Sequence, residues 1–224
     1  MNDSENKILG ELRSWLENLG SRKLTDWEDI PDIELYMDQV VGYIDRQLAY
    51  IKSDEEKTLT PAMVNNYVKL GTLPKPEGKK YGKAHIARLF PLCVLKQILP
   101  LPVIAAAIDD FTRMIGGGQA FDRYSDIQNA ALAGAAGAAL SAYTEGESID
   151  TLEVCAFELA IQAAANRIVA EKILAAAEKL KKSERAAAKE RAKQDKERQK
   201  QEKERQKEQA EKLKKDKEKE KQPE

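Results

Sequence analysis

Thr60-Pro61-Ala62-Met63-Val64-Asn65-Asn66-Tyr67-Val68-Lys69-Leu70-Gly71-Thr72-Leu73-Pro74-Lys75-Pro76-Glu77-Gly78-Lys79-Lys80-Tyr81-Gly82-Lys83 is the stretch on which the fold turns. Thr60 offers a capping hydroxyl, and Pro61 stands at the first helical position, where its missing N–H costs nothing. The short helix opened there should close at Leu70-Gly71, because glycine adopts the left-handed conformation that ends helices. Glu77-Gly78 then supplies a tight turn between two short extended arms, which predicts a small β-hairpin over residues 72–81. A further helix should begin near Lys83, with Ile86, Leu89, Phe90, Cys93 and Val94 on one face. Pro91 falls inside that pattern, where it removes a backbone hydrogen bond at a cost of about 3 kcal/mol, and the sequence offers no compensation.

The charge map picks out the same stretch. The chain of 224 residues is close to neutral overall, yet its net charge alternates: −8 over residues 1–56, +7 over 57–99, −6 over 100–177 and +6 over 178–224. The positive second block coincides with the helix, hairpin and helix just described. A short helix for the major groove, a basic hairpin for the phosphates and apolar support behind are the parts of a DNA-binding winged helix-turn-helix.

Upstream, Ile8, Leu9, Leu12, Trp15, Leu16 and Leu19 recur at helical spacing and stop at Gly20. After a loop with Trp27 and Ile30-Pro31, Asp32 is a candidate N-cap for a helix from about Ile33 to Ile51, with Met37, Val41, Ile44, Leu48 and Ile51 inward. Downstream, Ile104, Ile108, Phe111 and Ile115 outline a helix that ends at Gly116-Gly117-Gly118, a hinge or domain boundary. Phe121, Tyr124 and Ile127 begin the next, whose Gly134 and Gly137 leave room for a close neighbour. Asp150 and Glu153 suggest a capping box for a last helix. There Leu152, Ala156, Leu159, Ala163, Asn166, Ala170, Ile173, Ala177 and Leu180 follow a coiled-coil seam, and a second row, Val154, Ile161 and Ile168, predicts burial on two sides. Beyond Leu180 apolar residues nearly vanish, leaving a charged tail that is either a solitary helix or disordered.

Several classes are excluded. The longest run free of charge and strong polarity, Ala130 to Tyr143, is too short to span a bilayer and consists mostly of alanine and glycine. The N-terminus lacks a secretory pattern, so a cytoplasmic protein is expected. Cys93 and Cys155 have no partner at ligand spacing and read as reduced core residues, and no metal or cofactor is expected. No glycine-rich phosphate loop or nucleophile with a base is legible, and His85, the sole histidine, reads as a surface or capping residue. The chain is therefore not expected to be an enzyme.

The wording of the basic block resembles a known family. Asn65-Asn66-Tyr67-Val68-Lys69-Leu70-Gly71-Thr72-Leu73-Pro74 looks like the end of the recognition helix in MerR-type regulators, and Lys79-Lys80-Tyr81-Gly82-Lys83-Ala84-His85-Ile86-Ala87-Arg88-Leu89 looks like their wing and following helix. Asn65 stands where those regulators carry a phosphate-gripping arginine, and Asn66 replaces one of two tyrosines, which implies a weaker grip from this helix. With Trp27-Glu28-Asp29-Ile30-Pro31-Asp32-Ile33-Glu34-Leu35-Tyr36-Met37-Asp38-Gln39-Val40 included, the region also resembles the bacterial domain of unknown function 1836.

The expected architecture is mainly α. Residues 1–24 form an amphipathic helix, 25–118 a MerR-like winged helix-turn-helix with one small β-hairpin, 119–180 an α-helical hairpin for dimerisation or an effector, and 181–224 the tail. The expected function is a DNA-binding transcription regulator acting as a homodimer through 119–180, its small-molecule effector unknown. A protein- or RNA-binding adaptor is the alternative. The expected DNA-binding residues are Thr60, Met63, Asn65, Asn66, Tyr67, Lys69, Lys75, Lys79, Lys80, Tyr81, Lys83 and Arg88. Tyr67 and Tyr81 also suit the small core.

Overall fold

The computed structural model describes residues 3–51, 57–145 and 149–219. It divides into two units at Glu171 and Lys172. Among the described residues are seven α-helices and two short strands: α1 (Asp3–Ser21), β1 (Leu35–Tyr36), α2 (Met37–Gln47), α3 (Pro61–Lys69), β2 (Lys80–Tyr81), α4 (Lys83–Leu95), α5 (Leu101–Ile115), α6 (Gly117–Glu145) and α7 (Ile149–Lys219). None of these helices is long and apolar enough to cross a membrane.

The core of the first unit gathers around α4, the most apolar stretch of the basic block. Ile86, Leu89, Phe90, Leu92 and Cys93 are wholly buried and share one core with Val40 and Ile44 from α2, Leu48 just after it, Val64 and Tyr67 from α3, and Ile104 from α5. Phe90 is the aromatic hub, with edge contacts to Tyr43 at 6.2 Å and Phe121 at 5.3 Å between centroids. Phe121 of α6 thus joins the same core as Ile104 before the glycine run, and the bend itself is confined to Gly116, whose φ of 88° is open to glycine.

α1 runs back along α6. Gly20 supplies the closest approach, since a Cβ there would lie 3.3 Å from Cβ of the buried Ala136. The predicted close approach at Gly134 and Gly137 does not occur: a Cβ at either would meet nothing within 4 Å among the described residues. Between α1 and β1 the loop is laced to one polar face of α6. Asn129 Oδ1 accepts the Leu24 N–H at 2.8 Å, Asp122 Oδ1 accepts the Trp27 N–H at 2.6 Å, and the buried Ser125 hydroxyl donates to the Leu24 and Thr25 carbonyls.

Further expectations are corrected. The second helix starts at Met37 and ends at Gln47, followed by a single 3₁₀ turn at Ala49–Ile51. Asp32 is not its cap; instead Gln39 Oε1 accepts the Tyr36 N–H, and Leu35–Tyr36 ahead of it form a strand. That strand is the partner of β2, in antiparallel register Leu35↔Tyr81 and Tyr36↔Lys80, so the small β element stands but its second arm comes from before α2. Thr72 and Leu73, expected in that arm, instead finish α3: their N–H groups and the Thr72 hydroxyl all donate to the Tyr67 carbonyl. Third, the row Val154, Ile161 and Ile168 on α7 is 58%, 54% and 60% exposed rather than buried. Packing rows in a sequence say which residues share a face, not that the same chain covers it. Asp150, expected to cap this helix, is not its cap: it lies within the first turn, after Ile149.

The second unit is helical through Lys219. Ile173 and Leu180 are exposed there, and Lys182 pairs with Glu178 one turn earlier at 2.7 Å.

Candidate nucleic-acid interface

α3 is built as its sequence requires. The Thr60 hydroxyl accepts the Met63 N–H at 3.2 Å, Pro61 opens the helix, and Gly71 at φ 69° closes it. Val64 and Tyr67 point into the core, which turns Ala62, Asn65, Asn66 and Lys69 outward at the 3, 4 and 7 spacing of one face. Met63 is half-buried at the edge, with the Lys96 ammonium 3.7 Å from its sulfur. That ammonium also donates to the Thr58 carbonyl at 2.8 Å.

The hairpin turn is Glu77 to Lys80, closed by a 2.8 Å bond from the Lys80 N–H to the Glu77 carbonyl. Its two central residues, Gly78 and Lys79, both have positive φ, 53° and 64°, as a type I′ turn demands. Lys79 is the only non-glycine residue among those described in this conformation. Asparagine and glycine occupy such positions readily, whereas lysine carries a strain of about 1 kcal/mol there. Lys75 is exposed between Pro74 and Pro76.

The remaining expected contacts have other employment. Lys80 lies 3.8 Å from Glu34 and 5.6 Å from the centre of the Tyr36 ring, both supplied by the β1 segment. Lys83 sits over the Trp27 indole at 5.1 Å with Glu28 at 3.9 Å, and its side chain is only 13% exposed. Arg88 is a staple: it pairs with Asp109 at 2.5 Å and donates to the carbonyls of Thr72 at 2.6 Å and Ala105 at 3.3 Å. Tyr67 and Tyr81 are core residues, and burial pushes the Tyr67 hydroxyl up to about 12 and raises that of Tyr81. His85 caps α4, its Nδ1 accepting the Gly82 N–H at 3.2 Å while its ring stands edge-on to Tyr81. The structure therefore leaves Asn65, Asn66, Lys69, Lys75 and Lys79 free to meet a ligand, and folds Tyr67, Tyr81, Lys83 and Arg88 into the domain.

Sequence reasoning missed the groups that support this surface. Glu34 and Tyr36, which hold Lys80, were read as part of a helix. Asp122, Ser125 and Asn129, which fix the Trp27 loop, share one helical face in the 3 and 4 spacing, a polar periodicity that the sequence carries.

The family model described as a domain of unknown function (DUF1836) matches residues 25–127. That segment begins at the Trp27 loop and takes in α2, α3, the β ribbon, α4, α5 and the start of α6. No curated protein and no solved structure matches the chain.

Proposed function

We propose that residues 25–127 are a DNA-binding domain of winged helix-turn-helix type, similar to that of MerR regulators, within a transcription regulator. The observation that carries this reading is the pairing of an uncluttered polar helix face, Asn65, Asn66 and Lys69, with a turn that holds Lys79 in a strained conformation. Strain of this kind persists at functional positions, and a lysine at a turn tip reaches phosphates. Asparagine reads adenine through a bidentate contact, and lysines of the wing supply affinity without sequence preference. The order β1, α2, α3, turn, β2, α4 fits the reading, with α3 in the groove and the Glu77–Lys80 turn on the backbone.

A second copy of the chain completes the reading. Val154, Phe157, Ile161 and Ile168 recur at 3, 4 and 7 on α7, each more than half exposed, and two such faces bury each other in a two-fold dimer.

Selection from genomic fragments with the full chain tests the core claim. An enriched motif that weakens when Asn65 or Asn66 is changed supports base readout. Salt-sensitive binding without any enriched motif supports the protein- or RNA-binding adaptor instead.

A further inference from the structure

Between α4, α5 and α6 lies an apolar cavity of about 620 Å³, within the size range of small-molecule sites. Its walls follow helical spacing: Ala84, Ala87, Arg88, Pro91 and Leu95 on α4, with matching faces of α5 and α6, and Trp27 at one side. The space exists because small residues stand where the helices face it. Ala87, Ala107 and Ala120 leave room that larger apolar side chains would fill with a gain in stability. The Trp27 indole is held in place by Gly118, where a Cβ would approach Cδ1 of that ring to 3.1 Å.

Pro91 gives this space its polarity. It lies inside α4 and has no N–H to offer the Ala87 carbonyl one turn back, and both residues belong to the cavity wall. The Ala87 carbonyl thus lacks its regular helical donor, in a wall that is otherwise mostly apolar. Two other wall residues hold buried polar atoms without partners, His85 Nε2 and Tyr124 Oη. Because His85 Nδ1 accepts the Gly82 N–H, its proton is on Nε2, which makes that atom a donor. The only charged side chain in the wall, Arg88, is spent on Asp109 and two carbonyls. Trp27, Phe111 and Phe121 offer ring faces and edges.

We infer that this cavity is a binding site for a neutral aromatic molecule bearing a hydroxyl group, its ring among the aromatic walls and its O–H donated to the Ala87 carbonyl. The absence of an uncommitted cation in the wall selects against carboxylates. The site takes part of its wall from the start of the 119–180 region, through Ala120, Phe121, Tyr124 and Ile127, and its existence does not depend on DNA binding.

The test uses the full-length chain, Nile red as a fluorescent reporter of the cavity, and three competitors of one ring system: 1-naphthol, 1-methoxynaphthalene and 1-naphthoate. Naphthol should displace the dye about tenfold more tightly than the methyl ether, the difference one hydrogen bond makes, and naphthoate should be weakest. Ala107→Phe should abolish dye binding by filling the space. Pro91→Ala, a change favourable to the helix, returns an N–H to the Ala87 carbonyl and should erase the preference for naphthol while the ether still binds. The inference is overturned if folded wild-type chain does not bind the dye, if Pro91→Ala keeps the tenfold preference, or if naphthoate binds best. It is also overturned if a folded Ala107→Phe chain binds the dye unchanged, since the dye would then sit on exposed helix faces.

Discussion

Replacing Lys79 with asparagine should move stability and DNA affinity in opposite directions. Lys79 sits at φ 64° in a turn whose other central residue is Gly78, and asparagine is the side chain best suited to that backbone after glycine. Relief of the left-handed strain should stabilise the domain by about 0.5–1 kcal/mol, seen as a higher urea midpoint. The same change removes an exposed ammonium from the turn tip. If that ammonium neutralises one phosphate, the slope of log affinity against log salt flattens by about 0.9, and the loss of affinity between 50 and 200 mM salt shrinks by roughly three- to fourfold. Lys80→Ala provides the contrast: its ammonium already lies 3.8 Å from Glu34 and against Tyr36, so its effect on the slope should be smaller. Fluorescence anisotropy on one labelled duplex at four salt concentrations measures both. A Lys79→Asn chain with unchanged affinity and slope, or a larger effect from Lys80→Ala, would refute the assignment of Lys79 to a phosphate.

Arg88→Ala should destabilise the first unit by about 2 kcal/mol or more, because two carbonyls and Asp109 lose their donor; chemical denaturation reads this, while the salt slope of DNA binding stays as it was. Gly118→Ala should cost about 1–2 kcal/mol and shift indole emission, since the new methyl group meets the Trp27 ring at 3.1 Å. Burial pushes the Cys93 thiol from 9 and the Tyr67 hydroxyl from 10 up to about 12, so the folded chain keeps protons that the unfolded chain loses. Stability should therefore be full below about pH 9 and decline from there toward pH 12, and Cys93→Ala should delay the onset to about pH 10. Sedimentation at micromolar concentration should show a dimer that Ile161→Asp and Ile168→Asp together convert to a monomer; a monomer before substitution removes the two-fold reading.

What was legible in the sequence depended on how far each signal reaches along the chain. The start of α3 at Thr60-Pro61 and its end at Gly71 rest on bonds within a few residues, and the structure has both. The partner of β2 was not legible, because a strand of two residues has no periodicity and its sequence runs directly into α2. Arg88 looks like a DNA contact in the sequence, because a charge in a basic block looks free until Asp109, 21 residues away, is folded against it. Pro91 was visible as an anomaly without a cause. Its setting, a void between three helices, consists of missing atoms and has no sequence pattern of its own.

The bonds that lace the Trp27 loop to α6 bring together the two ends of the segment that the family model matches. Leu24 and Asn129 are 105 residues apart in the chain and 2.8 Å apart in space, so a segment nearly coincident with residues 25–127 enters and leaves at one point. Joined ends of this kind let a domain be inserted into a host chain without stretching it. Here α1 and the remainder of α6 depart side by side from that point, like the two wires of a plug. A change of length or charge in either lead beyond that point therefore leaves the path of the segment between them as it is.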